Sequence, residues 1–337
     1  MARQAGKLEM AACAYNVTTF NIALLSLFAA GEARPSQNGH CLRKCGDKDI
    51  PYPFGVGDGC FLNQYFSLTC YNYKLYFDSS NIEVLNISLD GHMDISMYVS
   101  QICYNESAQV VEDLDHSISS LTITAFPISS SANKFLSVGC DSYGYSNSFQ
   151  DEQSYSTGCL SRCNQLLTQE QNAGETCSGI GCCQIDIPPR MRNITFQSFS
   201  FNGHKNVWRF NNCSYAFVAK QGSFNFSPHY LEHLPFNMST LVLDWSIVDP
   251  QIPDLGTCRE ASNSTCSSNA FCQNSISGFG FRCFCQPGFQ AGNPYIYPDG
   301  YVNECDDPKS NNCSISVHAQ CPNSMAVTTV LVRLVFV

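Results

Sequence analysis

The sequence predicts a mostly β, disulfide-rich fold: two β-rich, cysteine-stapled lobes, then a small cysteine-framed domain and a truncated second one. The first observation is the 21 cysteines among 337 residues, because secreted small domains use disulfides where a large core is lacking. The second is the number of short segments in which β-branched or aromatic residues alternate with polar ones. The third is the scarcity of helical periodicity, for which residues 159–171 are the only passable candidate.

The predicted strands lie in four segments. Residues 81–99 (NIEVLNISLDGHMDISMYV) form two alternating runs around the turn Asp90-Gly91, which predicts a hairpin. Residues 120–128, 191–201 and 207–219 alternate in the same way. The proline-containing stretch 248–258 predicts a linker before the last cysteine-rich region.

Residues 1–31 have the parts of a secretory signal peptide. Arg3 and Lys7 precede the apolar run of residues 22–30, and small residues surround the expected cleavage site near Gly31. Such a run is too short to span a bilayer, so it predicts secretion. The apolar C-terminal residues 325–337 are interrupted by Arg333, so no membrane span is expected in this chain. Removal of Cys13 with the signal leaves an even number of cysteines, which suits full pairing.

The charge excludes nucleic acid as a partner. The formal net charge is −10, and loss of Arg3, Lys7 and Glu9 with the signal makes it one unit more negative. Nucleic-acid binding requires a basic footprint. An acidic partner would therefore have to meet a local basic patch or bridging cations.

Glycosylation sequons agree with an extracellular location. Asn-X-Ser/Thr sequences recur along the chain, and several in one chain with a signal peptide indicate secretion. The expected sites are Asn86, Asn105, Asn193, Asn225, Asn237 and Asn263.

The most specific motif is residues 41–70, CLRKCGDKDIPYPFGVGDGCFLNQYFSLTC. Its cysteine spacing, its IPYPFG core and its Leu-Thr-Cys ending resemble the galacturonan-binding domain of plant wall-associated receptor kinases. The resemblance implies binding of pectin or oligogalacturonides. The candidate polysaccharide-binding residues are the cations Arg43, Lys44 and Lys48, which can pair with carboxylates, and the aromatic residues Tyr52 and Phe54, which can stack on a sugar. The aromatic residues could equally fill a small core. A weaker basic cluster comprises Arg190, Arg192, Lys205 and Arg209.

The rest of the chain extends the same resemblance. The segments SVGCDSYG, TGCLSRC and CSGIGCCQIDIP are similar to the second cysteine module of that family. The spacing C-x7-C-x5-C-x10-C-x-C from Cys258 resembles an EGF-like domain. It implies the pairs Cys258–Cys272 and Cys266–Cys283, with Cys285 bonded to a later cysteine, for which Cys305 is the candidate.

A second EGF-like domain of the calcium-binding kind starts near Cys305 and is incomplete. The matching positions make Glu304 and Asn323 weak calcium-ligand candidates, but calcium requires six or more oxygen ligands. We therefore expect no cofactor. The expected domains are residues 1–31, 32–125, 126–250, 251–304 and 305–337, namely signal peptide, galacturonan-binding domain, second cysteine module, EGF-like domain, and incomplete EGF-like domain with an apolar tail.

No enzyme is predicted. The kinase motifs are absent from the sequence, and the string His229-Tyr-Leu-Glu-His233 lies between Pro228 and Pro235, which leaves too little helix for a zinc-peptidase site. The predicted function is pectin binding by a secreted or formerly anchored receptor ectodomain that senses the cell wall. The alternative is an extracellular module that binds a protein ligand, or a soluble decoy with no glycan binding.

Overall fold

The structure is a computed structural model. It describes residues 41–77, 80–111, 117–123, 125–150, 153–163, 177–248, 258, 265–267, 270–286 and 293–295. The expected signal peptide, Asn263, Glu304, Cys305 and Asn323 lie outside the described residues.

Strands dominate these ranges, which confirms the prediction of a mostly β, disulfide-rich fold. Two short 3₁₀ helices, Gln64–Phe66 and Pro228–Leu231, are the helical elements of the described ranges. The strands are β1 (Lys44–Cys45), β2 (Lys48–Asp49), β3 (Gly55–Val56), β4 (Ser67–Tyr71), β5 (Lys74–Phe77), β6 (Glu83–Ile87), β7 (His92–Tyr98), β8 (Ser100–Cys103), β9 (Ile118–Thr122), β10 (Asn133–Val138), β11 (Ser142–Gln150), β12 (Gln153–Ser161), β13 (Ser178–Ile180), β14 (Cys182–Asp186), β15 (Asn193–Ser200), β16 (Cys213–Lys220), β17 (Met238–Asp244), β18 (Ala270–Asn274) and β19 (Phe281–Cys285).

The first lobe is a six-stranded sheet in the order β17-β7-β6-β5-β4-β3. Strands β6 and β7 form the hairpin that alternation in residues 81–99 predicts. In β7 the side chains of Met93, Ile95 and Met97 are buried and their neighbours are less so, as expected for a strand with one face on the core. The edge beside β7 is covered by β17, which arrives from far along the chain.

The second lobe contains a five-stranded sheet, β13-β14-β10-β16-β8, and a four-stranded sheet, β12-β11-β15-β9. Phe135 of the first and Phe196 of the second meet edge to face, with ring centroids 6.0 Å apart. Strand β16 is buried along nearly its whole length, because it lies between β10 and β8 in its sheet. The Ser239 hydroxyl of β17 also donates to its Val218 carbonyl at 2.7 Å, so β16 contacts the first lobe as well.

The two lobes exchange strands. Strands β8 and β9 precede residue 125 but pair with β16 and β15 of the second lobe. In the opposite direction, β17 follows residue 126 but completes the first sheet. The domain boundaries given above stay predictions, but a cut at residue 125 would separate paired strands in both directions.

Disulfides connect all twelve cysteines between Cys41 and Cys213 to one another. The pairs are Cys41–Cys60, Cys45–Cys70, Cys103–Cys213, Cys140–Cys163, Cys159–Cys183 and Cys177–Cys182. The adjacent residues Cys182 and Cys183 bond to different segments, so they fasten strand β14 on two sides. Removal of a native disulfide from a small secreted domain costs about 2–5 kcal/mol.

The part of the chain predicted to be EGF-like, called the EGF-like region below, contains the hairpin β18–β19 and the bonds Cys258–Cys272 and Cys266–Cys283. These are the two pairs that the family resemblance implies. Cys285 lies on β19, and its expected partner Cys305 falls outside the described residues.

The one helix candidate of the sequence, residues 159–171, is not helical in its described part, residues 159–163. Residues Cys159–Ser161 end strand β12, which pairs with β11 over its whole length. Cross-strand pairing and the Cys159–Cys183 bond hold these residues in a strand, because tertiary contacts commonly override local helix propensity.

No helix in the described ranges is long and apolar enough to cross a membrane.

Trp245 joins the first lobe to the EGF-like region. Its side chain is fully buried, and its ring meets Phe54 at 5.2 Å, Phe66 at 6.3 Å and Tyr295 at 5.6 Å between centroids. Its indole N–H donates to the Ser88 carbonyl at 2.9 Å. The buried polar atom of the indole is therefore satisfied, as burial of Trp requires.

Backbone hydrogen bonds continue this junction. Ile247 and Phe281 exchange N–H···O bonds of 2.8 and 3.0 Å, which adds the chain after Trp245 to the β18–β19 hairpin. The Asn293 amide donates to the Tyr52 carbonyl at 2.6 Å, and the Arg282 guanidinium donates to the Asp90 carbonyl. The EGF-like region is thus hydrogen-bonded both to the first lobe and to the segment that follows β17.

We expect Trp245→Ala to lower the free energy of unfolding by about 3–5 kcal/mol, because a buried Trp is lost from the core together with its hydrogen bond. Tyr73→Ala, at a side chain that is 82% exposed, is the control and should change stability by less than about 0.5 kcal/mol. Chemical denaturation of the oxidised protein measures both. A loss below about 1 kcal/mol for Trp245→Ala would contradict this central role.

Candidate functional site

The candidate binding residues lie on a small loop closed by two disulfides. Strands β1 and β2 form a two-residue hairpin in which Lys44 pairs with Asp49, and the bonds Cys41–Cys60 and Cys45–Cys70 hold its base. Gly46 has φ +61° in the turn, and a Cβ there would lie 2.6 Å from the Tyr73 carbonyl oxygen. Only glycine allows the backbone of the loop to lie this close to the β4–β5 turn.

The loop carries three cations, Arg43, Lys44 and Lys48, and two carboxylates, Asp47 and Asp49. Lys44 forms an ion pair with Asp49 at 3.0 Å, with both side chains largely exposed, and Lys48 pairs with Asp47 at 3.0 Å. The hydrogen bond from Lys48 holds the pKa of the Asp47 carboxyl below its ordinary value. Arg43 is exposed, so the loop presents a net positive charge, though a smaller one than its cations alone suggest. Exposed ion pairs contribute little to stability. A carboxylate of a polyanion can therefore replace an aspartate as the partner of a lysine with little loss of free energy.

The expectation that Phe54 contacts a sugar is wrong. Its side chain is 1% exposed and meets Phe66, Phe126 and Trp245 at centroid distances of 5.0, 6.0 and 5.2 Å. Because these aromatic partners enclose it, the ring belongs to the core. Tyr52 is half-buried and packs against that core.

Sequence reasoning missed Tyr73, the exposed aromatic residue next to the loop. Its side chain is 82% exposed, and its backbone has φ +62°. A bulky residue in this left-handed region is a conformational outlier, so the fold alone would favour Gly or Asn in this turn. The available signal was the two-residue turn Asn72-Tyr73 between two strand-like segments, where an aromatic residue is unusual.

Two members of the second basic cluster, Arg190 and Arg192, pack against an aromatic ring. The guanidinium groups of Arg190 and Arg192 lie 5.0 and 3.8 Å from the centre of the Phe279 ring in the EGF-like hairpin. Such cation–π contacts stabilise a partly desolvated junction. Arg190 also lines a groove of about 450 Å³ together with Pro189, Asp244 and Ser277. Burial raises the pKa of the Asp244 carboxyl.

Comparison with known proteins agrees with the residues described above. Residues 41–111 match the family model described as wall-associated receptor kinase galacturonan-binding. From Arabidopsis thaliana, wall-associated receptor kinase 2 is 36% identical over 294 residues, and wall-associated receptor kinase 5 is 35% identical over 309 residues. The chain is wall-associated receptor kinase-like.

The matches span 84% and 86% of this wall-associated receptor kinase-like chain, but 37% and 39% of the two relatives. The chain therefore spans well under half the length of the curated relatives it matches. Wall-associated receptor kinase 1, also from Arabidopsis thaliana, is 32% identical over 305 residues. No solved structure matches the chain.

The expected glycosylation sites of the chain differ in accessibility. Asn86, Asn105, Asn225 and Asn237 are exposed, and Asn193 is half-buried in β15. The Asn193 amide N–H donates to the Phe149 carbonyl at 2.8 Å. Nothing is described for Asn263.

A buried serine–histidine pair does not form an active site. His204 Nε2 lies 2.7 Å from the Ser214 hydroxyl, but both side chains are 0% exposed, so no substrate reaches them. His229 and His233 lie on the surface, at and just after the helix Pro228–Leu231. Across the described ranges, no group of three or more His, Cys, Asp or Glu side chains is arranged to hold a metal ion.

His204 makes folding sensitive to mild acid. Burial lowers its pKa from 6.5 to about 4, so between these values the unfolded chain binds a proton that the folded chain does not. Stability should therefore fall as the pH drops from about 6.5 to 4, with a slope approaching about 1.4 kcal/mol per pH unit.

The variant His204→Asn removes the titrating group and keeps a residue that tolerates the φ of +60° found at this position. Unfolding free energies measured at several pH values should show a shallower slope for the variant than for the wild type. Equal slopes would mean that other groups carry the dependence.

Proposed function

We propose that this chain binds galacturonan, the acidic backbone of pectin, in the extracellular cell wall. The observation that carries the proposal is the match of residues 41–111 to the wall-associated receptor kinase galacturonan-binding family. The dense disulfide framework supports an oxidising, extracellular location. Attachment to pectin would let the chain report the state of the wall as the ectodomain of a receptor.

The loop around Lys44 supplies the charge for this binding. Arg43 and Lys44 are exposed on a hairpin held by two disulfides, so their backbone is ordered before the ligand arrives. Preorganisation lowers the entropy cost of binding. Each sugar of polygalacturonate carries a carboxylate, and an arginine pairs with a carboxylate through two parallel hydrogen bonds.

Tyr73 supplies the sugar-stacking surface in place of Phe54. Its ring is exposed, and its backbone contacts the same hairpin at Gly46. A tyrosine offers a rigid apolar face with little conformational entropy to lose. The cations and the ring together match a chain that has both carboxylates and apolar ring faces.

The charge contribution can be tested with Arg43→Ala plus Lys44→Ala. We expect binding to polygalacturonate, measured by affinity electrophoresis without calcium, to weaken about tenfold or more, ~1.4 kcal/mol. The matched control is Lys134→Ala plus Lys220→Ala, which changes the net charge equally and also leaves two aspartates, Asp186 and Asp94, without their lysines. Equal effects of both pairs would assign binding to net charge instead of to this loop.

The stacking contribution can be tested with Tyr73→Asn. Asparagine tolerates positive φ better than tyrosine, so the melting temperature should be unchanged or higher while galacturonan binding weakens severalfold. Thermal unfolding and affinity electrophoresis give the two measurements. Unchanged binding would exclude Tyr73 from the site.

We propose that no resident cofactor is needed. Chelation with EGTA should then leave galacturonan binding within about twofold of its original strength, because a direct contact between guanidinium and carboxylate needs no bridging ion. About 0.5 M salt should weaken it, because exposed charges are screened. Loss of binding on chelation would instead indicate calcium bridging between carboxylates of ligand and protein.

A further inference from the structure

The four-stranded sheet has an unusual distribution of side chains. Along β11 the buried positions are small, with Ser142, Gly144, Ser146 and Ser148 facing inward. The alternate positions face outward and start with Tyr143 and Tyr145. Soluble sheets normally place large apolar residues inside and polar ones outside, so β11 is patterned in reverse.

Close packing explains the inner half of this pattern. A Cβ added at Gly144 would lie 2.8 Å from the Ser137 Cβ of the neighbouring sheet, so the inside has no room for larger residues. It does not explain the outer half, because serine or threonine would serve on a solvent-facing strand. The outward aromatic residues are therefore not required by the fold.

These outward rings form one ordered cluster across two strands. We call it the aromatic face, consisting of Tyr143, Tyr145, Phe199 and Phe201. Neighbouring centroids are 5.2–6.4 Å apart, and the ring planes lie within 7–28° of parallel. The Arg162 guanidinium lies 5.1 Å from the Phe201 ring centre, at one end of the cluster.

The surroundings of the aromatic face mix polar and apolar side chains and carry few charges; Leu160, opposite Tyr143, and Ile118, opposite Gln197, are both exposed. Gln197 accepts a hydrogen bond from the Tyr145 hydroxyl at 2.9 Å, and Asn147, Thr195 and Ser120 continue the outer surface across the paired strands. Two charged side chains of opposite sign lie at the end of the cluster near Phe201: Arg162, over the Phe201 ring, and Asp141, whose carboxylate accepts a hydrogen bond from the Asn202 amide at 3.0 Å. Phe201 is exposed and the other three rings are half-buried, so the cluster is a partly exposed apolar patch of the kind that marks binding sites.

We propose that the aromatic face binds an extended polysaccharide that carries few or no free carboxylates. Ordered, nearly parallel rings match the apolar faces of successive pyranose units, and the amides and hydroxyls around them match sugar hydroxyls. A single arginine cannot neutralise a polyanion, and the chain's net charge of −10 repels one at long range. This site is separate from the proposed galacturonan loop and uses different residues.

The same face fits a single glycan chain better than a second protein. The sequon residue Asn193 lies on the outer side of β15, six positions before Phe199, roughly 20 Å along the strand. A glycan there would obstruct the roughly 800 Å² that a stable protein partner covers. It leaves the end near Phe199 and Arg162 open to a narrower ligand.

Affinity electrophoresis of the full secreted chain tests the proposal, with three separate polysaccharides in the gel: highly methyl-esterified homogalacturonan, neutral xyloglucan, and de-esterified polygalacturonate. The variant is Tyr145→Thr with Phe199→Thr, because threonine suits a strand. The control is Phe271→Thr, which removes an exposed ring that stacks on Phe284 at 5.8 Å in the EGF-like hairpin.

We expect the wild type and the control to be retarded by the esterified or the neutral polymer in about 0.5 M salt, where charge contacts are screened. The double variant should bind that polymer at least tenfold more weakly and should bind polygalacturonate normally at low salt. The polymer that retards the wild type but not the double variant identifies the ligand. If the double variant is not secreted, Phe201→Ser should weaken binding severalfold, and Phe199→Tyr should retain it.

Three results would overturn the proposal. The first is no retardation of the wild type by either the esterified or the neutral polymer. The second is equal retardation of the wild type and the double variant. The third is a wild-type dimer in sedimentation that the double variant dissociates, which would make the face an interface between copies. None of these depends on the galacturonan loop, so the two proposals can fail separately.

Discussion

The buried indole of Trp245 is the contact on which the junction of the first lobe with the EGF-like region depends. Its N–H donates to Ser88, 157 positions earlier in the sequence, and its ring packs on Phe54 of the first lobe and on Tyr295 of the EGF-like region. A buried donor without a partner costs about 1–3 kcal/mol. Loss of this side chain would therefore disturb three features together: the position of β17, the docking of the hairpin that follows it, and the aromatic core of the first lobe.

The charge of the molecule shapes how it can meet a wall polymer. Cations sit near carboxylates at Lys44, Lys134 and Lys220, so positive charge reaches solvent only locally and over short distances. The disulfide-held loop presents its few cations in a fixed arrangement, whereas few charged side chains lie near the aromatic face. Two surfaces with opposite electrostatic requirements would allow one chain to respond to the degree of esterification of its surroundings.

The sequence indicated the class of fold well and the long-range pairing poorly. Cysteine spacing and alternation predicted strands, disulfides and the hairpin of residues 81–99, because these signals are local. No local pattern shows that Met238–Asp244 pairs with β7, since partner choice depends on the whole core. The site was predicted in part: spacing placed the cations on one loop, but composition could not show that Phe54 is buried while Tyr73 is exposed. The outward rings of β11 escaped notice because alternation has the same form whichever face is inside.

The late arrival of β17 has a consequence for synthesis of the chain. As the chain emerges from the ribosome, β3 to β7 appear early, but the strand that covers the edge of β7 follows only after the whole second lobe. Contacts of such high sequence separation slow folding, and an uncovered edge strand invites pairing with other chains. The bonds Cys41–Cys60 and Cys45–Cys70 can form before β17 is made, so they hold part of the first lobe together while the edge of β7 is still uncovered.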